Sequence, residues 1–147
     1  MIEWMQAAIA QAEQAREIDE VPVGAVIVYD GKIIASGYNT RENTQNPLMH
    51  AEIAAIGEAS KVIGSWRLYD CDLYVTLEPC PMCAGAIVQA RMRHVYFGAY
   101  DPKAGCAGTV YNLLQEPCFN HQTEVTGGVL EPECRQLLQN YFAEKRK

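Results

Sequence analysis

The chain has 147 residues, 49% hydrophobic and 20% charged, and a formal net charge of −6. That length suits a single domain over residues 1–147 with a real core, and no apolar run approaches the ~20 residues of a membrane-spanning helix. The acidic balance argues against a protein whose whole surface binds nucleic acid, so such contacts would need a local basic face. Arg91, Arg93, Lys103 and the closing Lys145-Arg146-Lys147 are the candidates, although a basic triplet at a chain end also serves as a solvated helix end.

Met1-Ile2-Glu3-Trp4 lacks the basic start and long apolar core of a signal peptide. A cytoplasmic location is expected, with reduced rather than paired cysteines. Residues 2–17 carry Trp4, Met5, Ala8, Ile9 and Ala12 at helical spacing and predict an amphipathic helix. Val21 to Tyr29 is a β-run, Asp30-Gly31 a two-residue hairpin turn, and Lys32 to Gly37 its antiparallel partner. Tyr38 to Leu48 is polar and asparagine-rich and predicts a loop long enough to be functional.

Met49 to about Ile63 predicts a helix with Ile53, Ala54, Ile56 and Gly57 inward. Leu73–Leu77 predicts a strand, followed by a helix to about Ala90 and a strand from His94 to Gly98. Residues 99–109 are loop-like, and Val110–Leu114 a short helix. Val125–Leu130 predicts the last strand, and Glu131-Pro132 opens a C-terminal helix carrying Leu137, Leu138, Tyr141 and Phe142. Strands alternating with helices imply helices on both faces of a sheet, and the hairpin makes that sheet mixed. The expected architecture is a three-layer α/β/α sandwich around five strands.

The chemistry concentrates in Pro79-Cys80-Pro81-Met82-Cys83. Pro81 suits the first helical position, which makes Cys80 the N-cap and puts Cys83 one turn on, facing the same way. The positive end of the helix dipole favours thiolate there. A tetrahedral zinc with Zn–S bonds of about 2.3 Å needs sulfurs about 3.7 Å apart, which this spacing can supply. His50 opens the preceding helix and gives a third ligand. Three protein ligands leave a fourth position for water, as in catalytic zinc sites. Glu52 lies two residues on, so on a helix it points away from His50 and can face substrate as a proton carrier. It also suits a helix start simply as an acid stabilised by the dipole. Cys71, Cys106, Cys118 and Cys134 have no spacing partners and read as small buried hydrophobes. Asn39 offers an acceptor and two donors that can read a base edge, and equally suits a turn. A structural zinc site with a fourth ligand from His94, His121 or Cys106 stays open from these residues, as does a redox cysteine pair.

His50-x-Glu52 followed by Pro79-Cys80-x-x-Cys83 resembles the signature of the zinc-dependent nucleoside and nucleobase deaminases. The resemblance to the bacterial tRNA-specific adenosine deaminases runs along nearly the whole chain. It is carried by Val21-Pro22-Val23-Gly24-Ala25, Gly37-Tyr38-Asn39, His50-Ala51-Glu52-Ile53, Leu73 to Cys80, Met82-Cys83-Ala84-Gly85-Ala86 and Gly98 to Gly105. It implies a cytidine deaminase-like fold and one zinc per subunit, held by His50, Cys80 and Cys83. It implies hydrolysis of adenosine to inosine at the wobble position of a tRNA anticodon, zinc-bound hydroxide attacking C6 and Glu52 shuttling protons.

The same resemblance gives Asn39 to the target base and the backbone N–H groups of Ala51 and Cys80 to the reacting atoms. Asp101 and Lys103 fall on a loop used against RNA, and Tyr141, Phe142, Lys145 and Arg146 on a helix that touches the anticodon stem-loop. A homodimer is implied as well. The sequence departs from the pattern in its thinner basic tail, with Ala143-Glu144 before the final triplet, and in Tyr100. A free nucleobase deaminase for guanine or cytosine is the alternative with the same zinc motif.

Overall fold

The structure, a computed structural model, describes residues 1–146; Lys147, last of the basic triplet, lies outside the described residues. Its elements are α1 (Ile2–Glu17), β1 (Gly24–Tyr29), β2 (Lys32–Tyr38), α2 (Arg41–Thr44), α3 (Ala51–Ile63), β3 (Cys71–Leu77), α4 (Pro81–Gln89), β4 (His94–Ala99), a 3-10 helix (Leu113–Gln115), β5 (Glu124–Thr126) and α5 (Glu131–Lys145). The strands form one sheet in the order β2-β1-β3-β4-β5. β1 is antiparallel to β2 and β3, and β3, β4 and β5 run parallel. The hairpin turn is Asp30-Gly31, both at positive φ (52° and 74°), the pattern of a type I′ turn whose twist matches its strands.

Alternate residues of the strands feed two separate cores, as the two-residue period of a strand requires. Val26, Val28 and Tyr74 pack with Met5 and Ala8 of α1 and Cys134 of α5. Ala25, Ile27, Leu73, Val75, Val95 and Phe97 pack with Ala51, Ala55 and Ala59 of α3 and with Ile87 of α4. Helices on both faces make the expected three-layer sandwich.

Several elements differ from the sequence expectation, each for a local reason. The loop after β2 contains the single-turn helix α2. Its first N–H groups are satisfied from a distance: Glu20 accepts from the backbone of Glu42 (3.1 Å) and Asn43 (2.6 Å). α3 buries Ala51, Glu52, Ala55 and Ala59; of the expected stripe Ile56 packs against the core from its edge, Ile53 and Ala54 are half-buried, and Gly57 is exposed. The helix lies so close to β2 that a Cβ on Gly37 would overlap the Ala51 carbonyl and Ala55 N, so only small residues fit beneath it. The short helix expected over Val110–Leu114 is the 3-10 helix Leu113–Gln115. The last strand ends at Thr126, because Gly127-Gly128 turns the chain and Leu130 already caps α5 at φ 52°. Cys71, Cys106 and Cys134 are buried as expected, but Cys118 is exposed, in the irregular stretch after the 3-10 helix.

Candidate active site

Two helices begin at the same place, at the carboxyl end of β3. His50 is the N-cap of α3, with extended backbone (φ −81°, ψ 158°). Cys80 is the N-cap of α4 (φ −76°, ψ 175°), Pro81 follows inside the first turn, and Cys83 is buried one turn on. His50 Nδ1 lies 3.6 Å from Cys80 Sγ and 3.5 Å from Cys83 Sγ. A tetrahedral zinc with Zn–N of about 2.0–2.1 Å and Zn–S of about 2.3 Å would separate nitrogen from sulfur by about 3.6 Å. The triad therefore fits such an ion as it stands, and its donor set of one imidazole and two thiols suits zinc chemistry.

Among the described residues no fourth His, Cys, Asp or Glu joins this group. His94 is engaged with Thr126 Oγ1 (2.8 Å) and His121 with the Met92 carbonyl (2.7 Å). Cys106 is not part of the triad either, so no described residue supplies the fourth ligand of a structural site. The two cysteines differ sharply in acidity. The neighbouring Cys83 thiol and His50 hold Cys80 down to about 4 although burial works against it. The proximity of Cys80, with burial and Glu52, pushes Cys83 up. The contact with Cys80 also raises His50 above the usual imidazole value, against the effect of burial.

The triad opens on a cavity of about 220 Å³ lined by His50, Glu52, Cys80, Asn39, Asp101 and the apolar Val21, Val23 and Leu77. Glu52 is 4% exposed. Burial pushes its carboxyl up to about 7; its own backbone N–H and His50 pull down, and Cys80 adds to the rise. A carboxyl poised near neutrality can both accept and return a proton. Helical spacing does not separate Glu52 from His50 as the sequence suggested. His50 stands outside the helix in extended backbone, so both side chains reach the one cavity.

Asn39 is 7% exposed and sits on the cavity wall. Its Oδ1 accepts from Arg41 N (3.1 Å) and its Nδ2 donates to the Val21 carbonyl (3.3 Å), which fixes the amide and leaves one lone pair and one N–H unused. Ala51 and Asp101 also line the cavity. The Asp101 carboxylate accepts from the backbone of Lys103 (3.0 Å) and Ala104 (3.2 Å), so it shapes its own turn, and Lys103 is exposed beside it. The C-terminal residues do not line the cavity. Tyr141 is buried with its hydroxyl donating to the Asp19 carbonyl (3.2 Å), and Lys145 Nζ meets the Asp19 carboxylate (2.6 Å). Phe142 on the same helix and Arg146 at its C-cap are exposed.

Sequence reasoning assigned nothing to three further residues. Arg41 lines the cavity mouth. Glu20 and Glu78 are carboxylates 1% and 2% exposed, and each grips a loop at the cavity rim. The usable signal was an acid beside an apolar run: Glu20 just before Val21, upstream of β1, and Glu78 directly after β3, between Leu77 and Pro79.

Residues 1–146 match the MafB19-like deaminase family. The chain is 56% identical over 144 residues to the tRNA-specific adenosine deaminase of Bacillus subtilis (strain 168), covering 98% of this chain and 89% of that one. A solved structure from studies of A-to-I editing by tRNA:A34 deaminases at the wobble position of transfer RNA superposes with a TM-score of 0.90. The two are 43% identical, over 94% of this chain and 100% of that one. A guanine deaminase from Bacillus subtilis is also 43% identical, with a TM-score of 0.64 over 67% of this chain and 63% of that one. The sandwich is thus the cytidine deaminase-like fold. Matched from residue 1 to 146 and along 98% of its length, the chain belongs to the MafB19-like deaminases and to the family of tRNA-specific adenosine deaminases.

Proposed function

We propose that this chain is a single-domain hydrolase, residues 1–147, that converts adenosine to inosine at the wobble position of a tRNA anticodon. One observation carries the reading. A His-Cys-Cys triad and a buried carboxyl near neutrality share a base-sized cavity, in a chain of this family. His50, Cys80 and Cys83 would hold one zinc ion per subunit. Bound there, zinc supplies a Lewis acid that makes a water nucleophilic near neutral pH.

The chain's own groups do the rest. Val21, Val23 and Leu77 give the base apolar walls that exclude water. Asn39, already fixed by Arg41 and Val21, presents its remaining donor and acceptor to the base edge. The N–H groups of Ala51 and Cys80 lie at helix starts, where the dipole favours developing negative charge. Glu52 takes a proton from the attacking water and delivers it to N1. It then carries a second proton, taken from the hydroxyl now on C6, to the amine, so the C6–N bond breaks, ammonia departs and inosine remains with a C6 carbonyl. An anticodon loop is already unpaired, so bringing its base into the cavity costs little unstacking.

Asp101 and Lys103 stand at the rim to meet the flanking RNA, and Phe142 and Arg146, with Tyr141 and Lys145 behind them, form a second contact on the stem-loop. A cytoplasmic homodimer is the assembly in which these surfaces would frame one RNA. The likeness to a guanine deaminase favours one rival, a free-base deaminase using the same cavity. Both readings are tested by incubating purified protein with a tRNA panel, an anticodon stem-loop, and free guanine, cytosine and adenosine. Inosine at the wobble base with no ammonia from free bases is expected. Turnover of a free base with none on RNA would replace the proposal with its rival.

A further inference from the structure

We propose that Glu78 is a positioning residue for the substrate RNA. Its carboxylate ties the loop of residues 101–109 to the turn that carries Cys80, and so sets where the cavity rim meets the nucleic acid. The RNA part of this inference rests on the function proposed above.

The carboxylate is saturated by that loop alone. Oε1 accepts from Asp101 N (3.0 Å) and the Thr109 hydroxyl (2.5 Å), and Oε2 accepts from Ala107 N and Thr109 N (both 3.1 Å). The backbone on either side closes the same seam. Glu78 N donates to the Ala99 carbonyl (2.9 Å) and Cys106 N to the Pro79 carbonyl (2.8 Å). The loop is shaped to the carboxylate: a Cβ on Gly105 would overlap Glu78 Oε1 and the Asp101 carbonyl. At 2% exposure the carboxylate is shielded from water, and the Ala107 N–H buried with it would have no replacement acceptor.

The opposite side of the loop faces the site. Asp101 and Ala104 line the cavity, and Lys103 projects beside them into solvent. Glu78 lies two residues before Cys80, so the metal-binding turn and the rim share one short rigid segment. Glu78 borders the cavity as well, but both of its oxygens are taken up by the four donors of the loop. Its action is therefore through the loop, on how RNA is received rather than on the reacting atoms.

The test uses the zinc-loaded protein. Glu78→Gln swaps one oxygen for an NH2 group that points donors at donors. Amide hydrogen exchange at Asp101, Ala107 and Thr109 is expected to quicken about tenfold or more, with the amides of Ala84 to Val88 in α4 unchanged. On an anticodon stem-loop KM should rise about tenfold, with kcat within about threefold and zinc content unaltered. Thr109→Val removes only the hydroxyl bond from an exposed residue; it should shift exchange and KM in the same direction by less, and it carries the test if Glu78→Gln does not fold. Unchanged exchange in both variants overturns the proposal. So does faster exchange with an unchanged KM, or a fall in kcat that follows loss of zinc. If the wild-type protein does not act on RNA at all, the functional reading fails. In that case the exchange data still decide whether Glu78 holds the loop.

Discussion

Glu52 and Glu78 are buried to nearly the same degree, 4% and 2% exposed, yet the chain uses them in opposite ways. Glu78 meets four donors from one loop and is fully occupied. Glu52 stands over a cavity, opposed mainly by its own backbone N–H and by His50, and burial lifts it to about 7. Glu20 falls with Glu78. Burial works against its charge, but the side chain and backbone of Asn43 and the backbone of Glu42 hold its carboxyl below the usual range. Burial by itself therefore does not say what a carboxyl does. The number of donors aimed at it decides whether it is a mobile proton site or a fixed anchor.

The comparison breaks most visibly at Glu52. Replacing it with Ala should lower kcat for inosine formation by about 10³-fold or more, the scale of losing a positioned proton carrier. The variant should fold and keep its metal, because no loop depends on this side chain. Near-normal turnover would remove the proton role. Next in size is the pH dependence of stability in chelator-stripped protein. The folded pKa of Glu52 stands above its unfolded value of 4.5, so its contribution is complete below that pH. The contribution is lost as pH rises toward about 7. The shift corresponds to about 3 kcal/mol. Denaturant titrations of wild type and Glu52→Gln over that window should diverge by an amount of this order, wild type falling the more steeply. Parallel curves would show that the carboxyl is not strained by burial.

The residues that do chemistry were easier to read than those that hold them. Cys80, Cys83 and His50 were legible because a metal demands particular atoms at fixed spacing, and Pro81 marks the helix start that presents them. The Asp30-Gly31 hairpin and the limits of α1 were legible because their causes are local. Glu78 and Glu20 were not, since the groups that define them lie 22 to 31 residues away along the chain. The buried face of α3 was hidden for another reason. Close approach over Gly37 selects alanines, and a search for large apolar residues passes over them.

Glu20→Gln sharpens the anchor side of the comparison. It should destabilise by about 1–3 kcal/mol, the scale of leaving buried donors unmet, and loosen residues 41–46 without loss of metal. Its pH signature is opposite to that of Glu52: the stability Glu20 supplies is present above its unfolded pKa of 4.5 and lost as pH falls through its lower folded value. Equal urea midpoints for wild type and variant at neutral pH would mean that water replaces the carboxylate, and Glu20 would no longer belong with Glu78.

The smallest effect is expected at Lys145, whose partner Asp19 also receives the Tyr141 hydroxyl on its carbonyl. Both charged side chains are largely exposed, 49% and 68%, so solvent screens the pair. Lys145→Ala should barely move the midpoint of a thermal melt. If α5 contacts the stem-loop, the same variant should weaken RNA binding measurably more at low salt than at high salt, because a phosphate contact releases counterions and an internal ion pair does not. An RNA affinity that moves with salt identically in wild type and variant would confine Lys145 to anchoring α5 on the end of α1, and leave Arg146 and Phe142 as the groups to test on that helix.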